Sequence, residues 1–169
     1  MATTFAGKWQ LALNLILQDD LDLSDPVDVV STLNAITISN GAGANACNQL
    51  YHSEGSIAAG GNTTIDLAGS LTNQFGTTIT FARIKLLYLK NISSTAGTTI
   101  RARSGASNGW NTAFAATGPI INKDGFLLLY AADATGYTVT AATGDIFRID
   151  NNDGANAAAY ELVIGGATS

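Results

Sequence analysis

Apolar and polar residues alternate along much of the chain with a period of two. The clearest example lies near the start of the sequence, where large apolar residues occupy every second position. These are Trp9, Leu11, Leu13, Leu15 and Leu17. Successive side chains of a β-strand point to opposite faces of its sheet, so this spacing predicts a long strand with one strongly apolar face. A short helix is predicted only around residues 67–75.

Further strand-like segments follow at intervals of about ten residues, and Gly, Asn or Asp residues separate most of them. They cover residues 33–39, 49–57, 63–67, 77–92, 98–103, 118–121, 126–131, 137–141, 145–149 and 160–164. Within 77–92 the apolar positions change parity after Phe81, so that Ile84, Leu86 and Tyr88 are expected to face inward. This change predicts a β-bulge near Arg83.

The many short strands predict an all-β fold, an antiparallel β-sandwich of jelly-roll type with about eight to ten strands. The chain length is typical of one domain, so residues 1–169 are expected to form a single sandwich. A parallel α/β fold is excluded because it needs long helices between its strands. Residues 19–30 are rich in aspartate and contain Pro26, which predicts an extended arm or an edge strand.

Composition and charge exclude several functional classes. Only 12% of the residues are charged and the net charge is −5, which argues against nucleic-acid binding through a basic face. No signal peptide and no apolar run long enough for a membrane helix is recognisable, so we expect synthesis in the cytoplasm and no membrane contact. The single Cys47 excludes a disulfide within the chain.

Residues suited to catalysis or metal binding are scarce. His52 is the only histidine, and no nucleophile motif lies near it, so a polar histidine in a strand is expected. Cys47 is expected to be a small buried thiol. The acidic run that includes Asp19, Asp20 and Asp22 lacks the glycine and glutamate spacing of a calcium-binding loop. We therefore predict no catalytic residue, no metal and no cofactor.

Two groups of residues are candidates for contacts with other proteins. Trp110 and Phe114 lie in a loop of small and polar residues, and aromatic side chains contribute much of the energy of protein interfaces. The alternative is that both fold back onto the end of the sandwich as a lid. Asp19, Asp20 and Asp22 form the second group, as part of the arm that would cross to a neighbouring subunit.

Residues 62–91 resemble a pattern of small structural proteins of tailed bacteriophages. The matching positions are Asp66-Leu67-Ala68-Gly69, Phe75-Gly76 and Thr80-Phe81-Ala82-Arg83-Ile84-Lys85. The resemblance implies a β-rich component of the virion, namely a capsid decoration, cement or minor head protein, and it implies no catalytic residues. The expected partners are further copies of the chain, with a trimer as one candidate symmetry, and the major capsid protein.

Two other functions stay open. One is a receptor- or carbohydrate-binding module of a tail or fibre, in which Trp110 or Tyr137 would stack on sugar rings. The other is a hydrolase with two facing carboxylates, for which Glu54 and Glu161 are the only glutamates. Low charge and many strands favour the structural role, because weakly charged flat surfaces suit contacts that a shell repeats many times.

Overall fold

Every secondary-structure element in the described part of the chain is a β-strand. The computed structural model describes residues 4–18, 27–69 and 71–168. Its strands are β1 Gly7–Gln18, β2 Val27–Asn40, β3 Ala46–Cys47, β4 Gln49–Ile57, β5 Asn62–Asp66, β6 Leu71–Thr72, β7 Thr78–Ile79, β8 Arg83–Asn91, β9 Thr99–Ser104, β10 Ile120–Asn122, β11 Phe126–Tyr130, β12 Tyr137–Thr138, β13 Ile146–Asn151 and β14 Ala158–Ala167.

Two antiparallel sheets form the body of the protein. One has the strand order β10-β9-β13-β5, and the other has the order β11-β8-β14-β4 with β12 paired to β8. The pairing is nested, since β4 pairs with β14, β5 with β13, β8 with β11 and β9 with β10. The antiparallel all-β sandwich predicted from the sequence is confirmed. The 14 strands of the described residues outnumber the predicted eight to ten, because four of them have only two residues.

The core lies between the two sheets and is built from alternate residues of each strand. Leu89 of β8 and Leu162 of β14 belong to the same core cluster as Phe147 and Ile149 of β13, and all four side chains are fully buried. Complete burial of such a side chain contributes roughly 1.5–3 kcal/mol to folding. This apolar layer fixes the register of both sheets, because a slip of one residue would turn it towards solvent.

A β-bulge in β8 decides which of its side chains reach the core. Gly165 of β14 lies opposite Leu86, but the next residue, Gly166, lies opposite Ile84. Lys85 is therefore the extra residue of the bulge. The bulge predicted near Arg83 is confirmed, two residues further along the chain.

The position of the bulge reverses part of the predicted orientation of β8. Leu87 and Leu89 are fully buried, whereas Leu86 and Tyr88 are only half-buried and face away from the core. The expectation that Leu86 and Tyr88 point inward is wrong, because the extra residue follows Ile84 instead of preceding it.

The short helix predicted around residues 67–75 is also wrong. The described part of this segment contains β6, which pairs with β7 in a small hairpin. The Asn73 side chain accepts hydrogen bonds from the backbone N–H groups of Phe75 and Thr77, both at 3.0 Å, and Gly76 has a positive φ of 76°. These turn-forming interactions outweigh the weak helical pattern.

The loop between β9 and β10 folds back into the sandwich. Trp110 is 0% exposed and Phe114 is 4% exposed, and their ring centroids lie 5.7 Å apart. The indole N–H of Trp110 donates to the carbonyl of Thr138 at 2.9 Å. Burial corrects the prediction that Trp110 and Phe114 are protein-contact anchors, because neither ring is on the surface of the folded chain.

The buried position of Trp110 makes it a test of the core. We expect Trp110→Ala to lower the free energy of unfolding by about 3–5 kcal/mol, because the substitution leaves a cavity and removes the indole hydrogen bond to the Thr138 carbonyl. Denaturant titration followed by circular dichroism measures this loss. The control is Phe75→Ala, since Phe75 is 81% exposed and its removal should change stability by no more than about 0.5 kcal/mol. Equal stability of the two variants would contradict the buried position.

Candidate functional site

Strands β1 and β2 form a two-stranded ribbon that belongs to neither sheet of the body. We call residues 7–18 and 27–40 the ribbon. The two strands pair without interruption from Gly7 opposite Ile38 to Gln18 opposite Val27, and at about 3.4 Å per residue they span roughly 40 Å. Among the described strands, β1 has extensive backbone contact with β2 alone, and β2 with β1 and the short β3. The ribbon is therefore joined to the body mainly at the end formed by residues 7–9 and 38–40, which we call the base.

The base of the ribbon is attached through an aromatic contact and a turn. Trp9 of β1 packs edge-on against Tyr130 of β11, with ring centroids 5.1 Å apart. The Tyr130 hydroxyl donates to the side-chain oxygen of Asn45 at 2.5 Å. The Asn45 carbonyl accepts the N–H of Ser39 at 2.9 Å, and its own N–H donates to Ala132 at 2.8 Å. Asn45 thus connects β2 to the segment that follows β11.

Two basic side chains of β8 bind backbone carbonyls of the segment that follows β11. Arg83 donates to the Ala134 carbonyl at 2.9 Å, and the Lys85 ammonium donates to the Asp133 carbonyl. Lys85 is only 1% exposed, and this burial lowers the pKa of its ammonium, an effect that the Asp133 carboxylate partly offsets. The bulge residue of β8 therefore has a structural role, because it supports the loop on which the ribbon rests.

Cys47 ends the short strand beside this base. Its side chain is fully buried, which confirms the buried thiol expected from the sequence. Burial raises the pKa of Cys47 to about 11, and the nearby Lys85 ammonium lowers it only slightly. The group is a neutral thiol at physiological pH, so this geometry gives it no nucleophilic activation.

The outward side of the β11-β8-β14-β4 sheet carries large apolar side chains where an exposed sheet commonly carries polar ones. We call this side the outer face. Its cross-strand rows are Tyr130-Leu86-Gly165-Leu50, then Leu128-Tyr88-Val163-His52, then Phe126-Lys90-Glu161-Glu54. Lysine and carboxylate groups occur only in the third row, so the first two rows form a mainly apolar surface.

A groove of about 440 Å³ separates the beginning of β1 from the outer face. Trp9 and Leu11 line it on the ribbon side, and Tyr88, Leu128 and Val163 line it on the sheet side. Leu11 is 43% exposed, so the ribbon and the outer face lie near one another without closing the space between them. Such an exposed apolar patch is typical of a surface that binds another molecule.

A second cavity, of about 680 Å³, lies beside the free edge of β4. Five amide side chains line it, those of Asn40, Asn48, Gln49, Asn73 and Gln74. Gln74 also lies within hydrogen-bond distance of the His52 ring, at 3.0 Å. Phe75 stands at its rim and is 81% exposed. No lysine, arginine or carboxylate is among the described residues that line this cavity.

The residues proposed from the sequence are not brought together in one site. Asp19, Asp20 and Asp22 lie outside the described residues, as does most of the predicted arm at 19–30, of which residues 27–30 begin β2. Trp110 and Phe114 are in the core. The arm therefore stays a prediction.

The structure also gives the positions of Tyr137, Glu54 and Glu161, the residues named for the two alternative functions. Tyr137 packs against Trp110, with ring centroids 6.2 Å apart, so this pair forms part of the core. Glu54 and Glu161 are direct cross-strand neighbours on the outer face. Within residues 4–18, 27–69 and 71–168, no group of three or more His, Cys, Asp and Glu side chains could hold a metal ion.

The outer face was missed in the sequence because of the wrong orientation of β8. A signal was nevertheless present: residues 86–89 and 126–130 are apolar or aromatic at both parities. Such continuous runs are typical of strands that are covered on both faces.

Comparisons with known proteins add little. No protein-family model matches the chain, and no curated protein matches it. Among solved structures, the chain is similar to the crystal structure of the Yersinia pseudotuberculosis-derived mitogen, with a TM-score of 0.34, 17% sequence identity and coverage of 70% of this chain and 86% of that chain. In the part of the chain that the structure describes, no helix has the length and apolar character needed to cross a membrane.

Asn45 offers a test of the attachment of the ribbon. It adopts a positive φ of 48°, which glycine adopts at little cost and alanine only with backbone strain. We expect Asn45→Gly to weaken the base by about 0.5–1.5 kcal/mol through loss of the Tyr130 hydrogen bond. Asn45→Ala should cost about 1 kcal/mol more because of its backbone strain. Amide exchange at Ser39 measures both effects.

The matched control is Asn108→Ala, because Asn108 has a similar φ of 50° far from the ribbon in sequence. This variant should lower global stability without changing the exchange rate of Ser39 relative to the core. Equal exchange at Ser39 in all three variants would show that Asn45 does not hold the ribbon.

Proposed function

We propose that the protein is a non-enzymatic structural protein of a tailed-phage virion. It acts as a capsid decoration or cement protein that forms homo-oligomers and binds neighbouring major capsid subunits. The observation that supports this most directly is the ribbon lying beside the apolar outer face. An isolated two-stranded ribbon is marginally stable in water, and contact with other subunits would stabilise the part of the ribbon beyond its attachment to the body.

The residues behind the phage resemblance have structural positions that suit this proposal. Asp66 accepts the N–H of Ala68 at 3.1 Å in the turn after β5, and the N–H of Phe81 donates to Leu67 at 2.9 Å. The first contact orders the turn, and the second links the segment after β5 to the segment before β8, strands of different sheets. The nested strand pairing supports the finer description of the fold as a jelly roll, a β-sandwich that occurs in viral capsid proteins.

We assign the contact with another subunit to the acidic segment that joins the two strands of the ribbon. Gln18 and Val27 are direct partners at the last pair of the ribbon, so residues 19–26 connect the two strands there. Asp19, Asp20 and Asp22 fall in this connection. A weak contact at this point is sufficient, because a shell presents the same site many times and an oligomer binds several copies at once.

A shortened ribbon tests this role. Because Gln18 and Val27 are paired, residues 19–26 can be replaced by Asn-Gly, which closes a hairpin with a two-residue turn. We expect this variant to keep the unfolding temperature of the parent and to lose about tenfold or more in affinity for phage heads assembled without the protein. Quantitative mass spectrometry of sedimented heads measures the bound copies.

The control for this experiment separates charge from length. The triple variant Asp19→Asn, Asp20→Asn, Asp22→Asn keeps the full connection and removes three charges. Reduced binding of both variants assigns the contact to the carboxylates, and reduced binding of the shortened variant alone assigns it to the length of the segment. Full occupancy by the shortened variant rejects the arm, and the absence of the chain from intact virions rejects the proposed function as a whole.

A receptor- or carbohydrate-binding module of a tail or fibre is the alternative, and the second cavity favours it. Amide side chains both donate and accept hydrogen bonds. Asn48 and Asn73 already use theirs within the chain, and Gln49 beside them in the cavity is the amide that we assign to a sugar hydroxyl group. The exposed ring of Phe75 at the rim provides an apolar surface for a sugar ring, a role that the buried Trp110 cannot take.

A glycan array probed with the parent protein and with Phe75→Ala distinguishes the two functions. Specific binding that Phe75→Ala abolishes would favour the alternative, because the variant leaves the core intact. The decoration role predicts no specific glycan signal from either protein.

A further inference from the structure

We infer that the outward side of the β10-β9-β13-β5 sheet holds a binding site for a doubly charged oxyanion, a phosphate or sulfate group. We call its residues, Arg101, Arg103, Arg148 and Asp150, the arginine cluster. The site goes beyond the proposed function, because it lies on the sheet opposite the outer face and involves neither the ribbon nor a capsid subunit.

The alternation of side chains along β9 and β13 places the cluster on the outside of the sandwich. The fully buried Ala102 of β9 and Ile149 of β13 lie opposite one another in the core. Their chain neighbours point to the other side of the sheet. The resulting cross-strand pairs are Arg101-Asp150 and Arg103-Arg148. Three of the four arginines of the chain therefore lie in two adjacent rows.

Asp150 holds two of these arginines together. Arg103 and Arg148 lie directly opposite one another, where like charges repel. One carboxylate oxygen of Asp150 lies 2.5 Å from Nε of Arg103, and the other lies 2.5 Å from Nε of Arg148. Both oxygens of this carboxylate are therefore occupied.

Arg101 is left without a carboxylate. It forms no ion pair with the described residues, and its Nε–H is shielded from water without a hydrogen-bond acceptor among them. The residues that flank the cluster in its two rows are uncharged, namely Ile120 on β10 and Asn62 and Thr64 on β5. Asp66, further along the same face of β5, uses its carboxylate in the turn that follows this strand. The cluster thus keeps two positive charges that no ion pair of the described residues neutralises.

The charge and the donors of the cluster favour phosphate or sulfate over a carboxylate. Each guanidinium has five N–H donors in a planar fork that fits the oxygens of these groups. A carboxylate would neutralise one of the two positive charges, whereas a phosphate monoester, with about two negative charges at pH 7, neutralises both. Binding would also satisfy the Nε–H of Arg101, whose lack of an acceptor is unfavourable.

The remaining charge of the protein selects a single anionic group over a polyanion. The net charge of −5 repels a long phosphodiester chain over most of the surface. Each phosphate of such a chain also has only one negative charge. The ligand is therefore one phosphate or sulfate group, either free or at the end of a larger molecule.

Nuclear magnetic resonance of the arginine side chains tests the site. Sodium phosphate is added to the isotope-labelled protein at constant ionic strength, with sodium chloride as the balance. We expect the Nε–H signal of Arg101 to move and to reach saturation. Arg83 is the internal control, because it lies on the other sheet and donates to the Ala134 carbonyl at 2.9 Å, so its signal should stay in place. No saturating change at Arg101, or an equal change at Arg83, would overturn the inference.

The variant Arg101→Gln removes the guanidinium that has no ion-pair partner in the described chain, and it also assigns the Arg101 signal. We expect the dissociation constant for phosphate, measured by calorimetry, to rise about tenfold or more, because hydrogen bonds between charged groups are strong. The unfolding temperature should stay that of the parent, since the substitution breaks no ion pair of the described residues.

Lys90→Gln is the matched control, because it changes the net charge by the same amount. Lys90 lies opposite Phe126 on the other sheet, and its loss should change the dissociation constant by no more than about twofold, since salt screens distant charges. Equal weakening by Lys90→Gln and Arg101→Gln would assign the effect to net charge and contradict the site.

A series of anions identifies the ligand. Sulfate and phenyl phosphate should compete with phosphate at the Arg101 signal, whereas acetate and dimethyl phosphate, with one charge each, should bind several-fold more weakly. Acetate or dimethyl phosphate that binds as tightly as phosphate overturns the selection of a doubly charged group. Tighter binding of phenyl phosphate than of inorganic phosphate supports a phosphorylated larger molecule as the ligand, and equal binding supports the free ion.

Discussion

A two-stranded ribbon has two faces and no third layer, and this constraint governs the functional surface of the protein. Every large apolar side chain on such a ribbon stays in contact with water until another surface covers it. The body covers the base of the ribbon, where Trp9 meets Tyr130. It does not cover Leu33, which is 63% exposed. Leu33 therefore stays on the surface of the described chain, where it is available for a contact with another molecule.

The outward orientation of Leu86 and Tyr88 on the outer face depends on one inserted residue. Lys85 forms the bulge of β8, and the bulge divides the strand so that Leu87 and Leu89 enter the core while Leu86 and Tyr88 face outward. Without the bulge, the same leucine-rich sequence would place a different set of side chains in the core. The buried Lys85 ammonium also supports the loop at the base of the ribbon. One local irregularity thus creates the apolar outer face and helps to position the ribbon near it.

Local patterns predicted the elements well where the period of two was regular. The strand predicted at 49–57 coincides with β4, and the alternation from Trp9 to Leu17 lies within β1. The partner of β1 was not predicted, because pairing depends on contacts between segments and the predicted strand at 33–39 covers only half of β2. The orientation of β8 failed for a related reason: a bulge at Lys85 or at Arg83 gives equally regular sequences on either side.

The interpretation of loops from the sequence failed where tertiary contacts decide whether a side chain is buried. The segment around Trp110 reads as a flexible loop in its composition, yet the indole is 0% exposed, since its neighbours Phe114 and Phe147 complete an aromatic cluster. No local signal distinguishes an aromatic side chain that closes a core from one that binds a partner. Asp19, Asp20 and Asp22 pose the same difficulty from the polar side, because an acidic segment gives no indication of which surface it contacts.

Polar side chains of the body are used to order its loops. Asn151 donates to three carbonyl oxygens, at distances of 2.8–3.2 Å. The N–H of Ala155 and the side chain of Asn156 help to lower the pKa of Asp153 to about 2. These side chains stabilise the loops at one end of the sandwich, where their hydrogen-bonding groups are already used. Exposed leucines, by contrast, lie on β1 and β2, where Leu11 is 43% and Leu33 is 63% exposed. The proposed decoration role needs a rigid unit with an apolar surface, and the ordered loops at Asn151 and Asp153 together with the exposed side chains of Leu33 and Leu11 meet both requirements.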